Sequence, residues 1–290
     1  MRPLELLFPI DFTELDFRAI PFVAQLVDAL HAHLTLMHVH GDGDDAALAA
    51  ERLTSFFAEA DRYPNSERIL ARGALVDRVV RQCATAPVDL LLLPASEGVW
   101  LPRPGHSSLR LQLLEATRLP VWTMGPNANV TRLHLPTKNV ACWIDLKAKS
   151  HPQLPFAIEY AESLGAQLHL LSALPELTIP VLYDEKIPLH PETAADLLRA
   201  EAQQGLTRSA KVAVAEADTR KSRHRLVQQC NADVIFVPQA ERPLFDWFGA
   251  RPSWFHETAC PVVMVPKEPR QRSWSLSKRP NEAAALLRAS

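Results

Sequence analysis

The feature that most limits what this chain can fold into is that its pattern occurs twice. LELLFPIDF (4–12) is an apolar run ending at a carboxylate, and NVACWIDL (139–146) is another, with Asp11 and Asp145 134 positions apart. At that same offset, without a gap, IPFVAQLVDALHAHLTLM (20–37) lies over LPFAIEYAESLGAQLHLL (154–171), matching Pro21 with Pro155, Phe22 with Phe156, Leu30 with Leu164 and Leu34 with Leu168. Further on, VRQC (80–83) answers VQQC (227–230), DLLLLP (89–94) answers DVIFVP (233–238), and ATRLPV (116–121) answers ETACPV (257–262). Order is kept throughout, so the 290 residues divide into two units of roughly 130, each large enough to bury its own core.

Within the first unit, Val23, Leu26, Val27 and Leu30 recur at helical spacing, and Ala157, Tyr160, Ala161 and Leu164 do so in the second. Both stretches read as core-facing helices. The first unit alternates: strand 4–12, helix 16–31, strand 33–39, helix 45–62, strand 67–72, helix 74–86, strand 88–94, helix 107–118, strand 120–125. Such alternation predicts a parallel sheet with helices on both faces, and continuously apolar strands such as VDLLLLP fit burial on both sides. The expected organisation is two doubly wound α/β domains, 1–128 and 133–268, with an extra loop at 175–192 and a tail at 269–290.

Several function classes are disfavoured. A formal net charge of −2 gives no field that would draw the chain to nucleic acid or an anionic membrane. The apolar run before Asp11 is short for a signal peptide, and no segment nears the ~20 apolar residues of a membrane span. A cytoplasmic location is expected. Cys83, Cys142, Cys230 and Cys260 lack metal-ligand spacing and read as small buried hydrophobes. Glycine is scarce at 9 residues while proline reaches 24, which leaves few positions where backbone can wrap closely around a ligand.

FPIDFTELDFRAI, LTLMHVH, VDLLLLPASEG, EATRLPVWTMGP and HETACPVVMV together resemble the universal stress protein family in a tandem form, over nearly the whole chain before about residue 268. The resemblance implies an adenine nucleotide alpha hydrolase-like fold, with the last strands of the two units pairing as an internal pseudo-dimer. It also implies a site for ATP or another adenine nucleotide in the first unit, with Asp11 at the nucleoside end and Pro9 and Thr13 in the same turn. Nucleotide-binding members carry G-x-x-G, about nine residues, then Gly-Ser or Gly-Thr opening the last helix. Here six residues, Pro102 and Pro104 among them, separate Gly98 from Gly105, and Ser107-Ser108 stands where the final pair belongs. That motif is half kept. Ser107 and Ser108 serve equally as helix caps, and Asp11 serves equally as a carboxylate bonding nearby amides.

In the second unit the equivalent connection, QAERPLFDWFGARPSW (239–254), holds one glycine and Phe245, Trp247, Phe248 and Trp254. Bulky rings fill a phosphate cradle, so no triphosphate site is expected there; the rings read as local core or as a surface for an unidentified protein partner. His38 and His40 share one strand face, but a third metal ligand is not evident by spacing, and no metal site is expected. No nucleophile elbow, Walker A loop or H-E-x-x-H occurs. The tail, with Trp274, Leu286 and Leu287, reads as a terminal extension with a short helix-like end. Three functions follow in order: a non-catalytic binding or regulatory module in stress response; an ATP-binding switch using the first unit; a metal-assisted enzyme using His38 and His40. The chain is expected as a monomer containing the pseudo-dimer or as a homodimer.

Overall fold

The structure is a computed structural model and describes residues 3–94, 109–124, 128–129, 133, 135–146, 148, 150–174, 191–203, 206, 209–239 and 258–270. The first repeat supplies strands β1 (Glu5–Ile10), β2 (His33–His40), β3 (Ser66–Arg72), β4 (Leu90–Leu92) and β5 (Val121–Thr123), with helices α1 (Glu14–Leu30), α2 (Ala46–Ser55), α3 (Leu75–Thr85) and α4 (Leu109–Thr117). The second supplies β6 (Asn139–Trp143), β7 (Gln167–Ala173), β8 (Lys211–Ala215), β9 (Val234–Pro238) and β10 (Val262–Val265), with α5 (Gln153–Leu164), α6 (Pro191–Gln203) and α7 (Arg220–Gln229). All ten strands join one sheet in the order β3-β2-β1-β4-β5-β10-β9-β6-β7-β8. Every pairing is parallel except β5 with β10 at the centre.

Burial follows the apolar pattern. Phe22, Val23, Leu26, Val27 and Leu30 of α1 pack on one face of the sheet with Leu53 of α2, Tyr160 of α5 and Leu198 of α6. Val79 and Cys83 of α3, Leu113 and Leu114 of α4, and Leu226 and Val227 of α7 cover the other. The sheet is therefore doubly wound. None of the four cysteines forms a disulfide, and three of them are buried. No described helix is long and apolar enough to cross a membrane.

The two halves share small devices as well as strands. Asp89 Oδ2 accepts from the Glu5 amide at 3.0 Å, and Asp233 Oδ2 accepts from Asn139 and Lys138 at 2.9 and 2.8 Å, so each aspartate pins the start of the neighbouring strand. α1 ends in a left-handed residue at His31 and α5 in one at Gly165, again at the 134 offset.

They differ where α1 begins. It opens at Glu14 behind a capping box, Thr13 with Asp16, whereas α5 opens at Gln153 behind Pro152. Reciprocal bonds at Thr13 and Asp16 satisfy amides that would otherwise be orphaned, so α1 extends back against the end of β1. Its Arg18 also pairs with Glu14 one turn away. The helix expected over 45–62 breaks instead: α2 stops at Ser55, Phe57 turns left-handed (φ 50°), and Ala58–Arg62 forms a 3-10 turn.

Candidate functional site

Strand order reverses between β1 and β4, and in such sheets ligands lie in the crevice beyond the carboxyl ends at that reversal. Pro9 shapes this end of the sheet. The amide and carbonyl of Glu5 both bond Asp89, at the foot of β4, so by the period of two the missing N–H of Pro9 points the same way. The ladder with β4 ends at Leu7 with Leu91, so the buried proline forfeits no strand bond there. β1 keeps its pairing with β2 as far as Ile10 with His38.

Asp11 follows immediately and is exposed. Its Oδ1 accepts from the Thr13 amide at 3.2 Å. The buried carboxylate in this turn is Asp16, whose Oδ2 accepts from the Asp11 and Thr13 amides at 3.0 and 3.1 Å. Burial, a hydrogen bond to the Asp11 carboxyl and the Asp11 charge push the Asp16 carboxyl up to about 7. Thr13 is therefore a helix cap, and Asp11 satisfies its own turn.

Between them Phe12 adopts φ 63°, a left-handed conformation that costs a bulky side chain energy. Its ring lies 4.5 Å from the His38 ring, 4.4 Å from the Arg52 guanidinium carbon and 5.9 Å from Phe56. Phe17, half exposed, packs on Phe56 at 4.9 Å. Phe12 thus fills the space between β2 and α2 just beyond the end of β1. Its contacts compensate the backbone strain through ring packing and a cation over the aromatic face.

His38 donates from Nδ1 to the Ile10 carbonyl at 2.9 Å, and His40 from Nδ1 to the Gly41 carbonyl at 3.1 Å. Both histidines thus hold backbone. Among the described residues no three His, Cys, Asp or Glu side chains are grouped for a metal. Gly98, Gly105, Ser107 and Ser108 lie outside the described residues, as do Phe245, Trp247, Phe248, Trp254 and the tail beyond Arg270.

The corresponding end of the second half is built differently. Asp145 is exposed, and Leu146 takes the place of Phe12 in sequence. Trp143 stands where Pro9 does, buried, with the Arg223 guanidinium carbon 5.3 Å from its ring centre. Arg223 is held by Asp218 through two bonds of 2.5 and 2.6 Å. Gln153 Nε2 donates to the Trp143 carbonyl at 2.7 Å.

Sequence reasoning placed Pro9, Asp11 and Thr13 together, and the structure brings them together. It did not single out Phe12, Asp16 or Arg52. For Asp16 a signal was present, since Thr13-x-x-Asp16 before an apolar run is a capping pattern; Phe12 and Arg52 have none.

No family model and no curated protein matches this sequence. Solved structures do. A universal stress protein from Archaeoglobus fulgidus superposes with a TM-score of 0.65 at 12% identity, covering 92% of this chain and 100% of its own. A putative universal stress protein from Pseudomonas aeruginosa gives 0.59 at 16%, covering 91% and 93%. The cytoplasmic domain of a prokaryotic cation chloride cotransporter gives 0.52 at 13%, covering 98% and 100%. At these identities the likeness is one of fold.

Proposed function

We propose that this chain, which has the fold of solved universal stress proteins, is a tandem member of that family and acts as a non-catalytic binding or regulatory module in the cytoplasm under stress. The observation that carries the reading is Phe12, whose own ring fills the space between His38 and Arg52 beside the exposed Asp11. Asp11 adds support by bonding the Thr13 amide of its own turn. Pro102 and Pro104 in the connection after β4, and the aromatic residues Phe245, Trp247, Phe248 and Trp254 in the second repeat, argue in the same direction from sequence. A surface for a protein partner is assigned to those four rings. The fold imposes no reaction of its own, and a structure of similar architecture is the cytoplasmic domain of a cotransporter.

A second reading, an ATP-responsive switch in the first half, is favoured by the exposure of Asp11 at the strand-order reversal. Melting the full chain with and without millimolar Mg-ATP separates the two. Ligand bound only by the folded state adds RT ln(1 + [L]/Kd), about 2.7 kcal/mol at a hundredfold excess over Kd. The module reading expects no shift and no nucleotide retained in native mass spectrometry; a clear rise in Tm overturns it in favour of the switch.

A further inference from the structure

The two halves meet through the antiparallel pairing of β5 and β10, where Thr123 faces Val262, Trp122 faces Val263 and Val121 faces Met264. Residues 116–121 match 257–262 at an offset of 141, so Val121, Trp122 and Thr123 are equivalent to Val262, Val263 and Met264. Exchanging every residue for its equivalent returns the same three pairs, and the pair of Trp122 and Val263 maps onto itself. The pseudo-twofold axis therefore passes through that pair. Two copies of the first half, docked the same way, would set Trp122 directly opposite Trp122; two copies of the second would set Val263 opposite Val263. Side chains directly opposite across an antiparallel pair stand only ~5 Å apart at Cβ.

The layer above the pair is unequal in the opposite sense. Trp122 is fully buried and stacks on Phe22 at 4.4 Å and 16°. Leu26 of α1 is equivalent to Tyr160 of α5 at the 134 offset, both are buried, and Tyr160 packs on Phe236 at 5.3 Å. The half with the large residue in its strand thus has the smaller one in its helix, and the other half reverses this. Phe22, Leu26, Phe156, Tyr160, Trp122 and Val263 all border one cavity of about 10 Å³, room for no more than a single water. Packing at the axis is therefore close to complete with Trp122, Val263, Leu26 and Tyr160 as distributed.

We propose that this seam is specific for unlike halves: each half's last strand and first helix accept the other half and reject a second copy of themselves. Interior packing tolerates neither added nor missing bulk without loss, so the indole opposite valine in the strands, with leucine on one helix and tyrosine on the other beside the same cavity, sets the pairing. The chain is thereby a closed unit with two non-equivalent crevices, and its central seam is not available to a single-repeat protein. This inference does not depend on what either crevice binds.

Two single substitutions in the full chain recreate the rejected pairings. Val263→Trp gives two indoles at the axis and Trp122→Val gives two valines; each lowers Tm by roughly 5 °C or more. The fourfold exchange Leu26→Tyr, Trp122→Val, Tyr160→Leu, Val263→Trp restores one large and one small residue in each layer and recovers at least half of the loss seen with Val263→Trp. Should Val263→Trp fail to fold, a folded exchange variant still supports the proposal. A Val263→Trp protein that melts with the unmodified chain, or an exchange variant no better than Val263→Trp, overturns it. Independently, the folded full chain carrying a protease site after Ala128 is cut once; the fragments stay together as a one-to-one pair. Fragments that separate or re-sort into like pairs overturn the proposal.

Discussion

His38 and Ser172, 134 positions apart, make the same hydrogen bond: His38 Nδ1 to the carbonyl of Ile10 at 2.9 Å, and Ser172 Oγ to the carbonyl of Ile144 at 2.8 Å. Each ties a side chain of the second strand of its half to the last carbonyl before the exposed aspartate. Ser172 is fully buried, so Ser172→Ala leaves Ile144 short of a donor, at a cost of about 1–3 kcal/mol. At position 38 a serine supplies the donor that the second half already uses. His38→Ser is therefore expected to be about 1 kcal/mol more stable than His38→Ala, since both lose the ring contact with Phe12 equally. Urea unfolding of the three variants decides it; equal midpoints for the Ser and Ala variants at position 38 show that the tie contributes nothing.

Phe12 combines a left-handed backbone with a packed ring, and the two contributions separate by substitution. Phe12→Ala and Phe12→Gly both lose the contacts to His38, Arg52 and Phe56, but only glycine adopts φ 63° without strain. The glycine variant is expected to exceed the alanine variant in stability by about 1 kcal/mol, the reverse of their usual order in regular structure. Both variants also open the space that the ring fills. A Tm rise in millimolar Mg-ATP that the unmodified chain lacks is expected in each; with no rise in either, the ring is not what closes the crevice.

The fold was legible because its signals are regular ones. Central strands covered on both faces read as unbroken apolar runs, and the 134 offset holds from Asp11 through Met37 because neither sheet nor helix tolerates an insertion there. Boundaries were less so. The first apolar run predicts a strand reaching residue 12, but β1 ends at Ile10, since Asp16 draws the Asp11 and Thr13 amides into a turn. The break at Phe57 is a left-handed phenylalanine, which no propensity favours. The equivalence of His38 and Ser172 was invisible because the two residues share only a donor. Asp11 is singled out by the resemblance alone, while Phe12, its neighbour, carries no motif: its contacts come from a conformation and from Arg52, forty residues away.

Asp16 makes the turn sensitive to pH. Its carboxyl is pushed up from an ordinary 3.8 to about 7, chiefly by burial and then by the bond to and charge of Asp11. A group whose folded value lies above its unfolded one stabilises fully below the unfolded value and loses that contribution as pH rises through the folded one. Asp16 should thus cost stability progressively between about pH 4 and 7. Asparagine keeps an acceptor for the Asp11 and Thr13 amides and never ionises. Asp16→Asn is expected to be more stable at pH 8 by on the order of 1–2 kcal/mol, with the difference shrinking toward pH 4. Equal Tm for the two proteins at pH 8 would show that the buried carboxylate is fully compensated by the amides it accepts.

Asp89 and Asp233 perform one task in separate halves. Asp89 is almost wholly buried and grips Glu5 through its side chain and its amide; Asp233 grips Asn139 in the same two ways and also takes the Lys138 amide. Replacing Asp89 by alanine strands the Glu5 amide, and replacing Asp233 strands that of Asn139, whereas Lys138 is exposed and its amide finds water. Each substitution is therefore expected to cost a similar amount, about 1–3 kcal/mol, despite the extra bond at Asp233. Amide exchange locates the effect: Asp89→Ala should speed exchange at Glu5 and leave Asn139 unchanged, and Asp233→Ala the converse. The two sites lie on opposite sides of the β5 and β10 seam, so their costs should add to within about 0.5 kcal/mol. A double variant far less stable than that sum would show that the strand starts of the two halves support each other through the sheet.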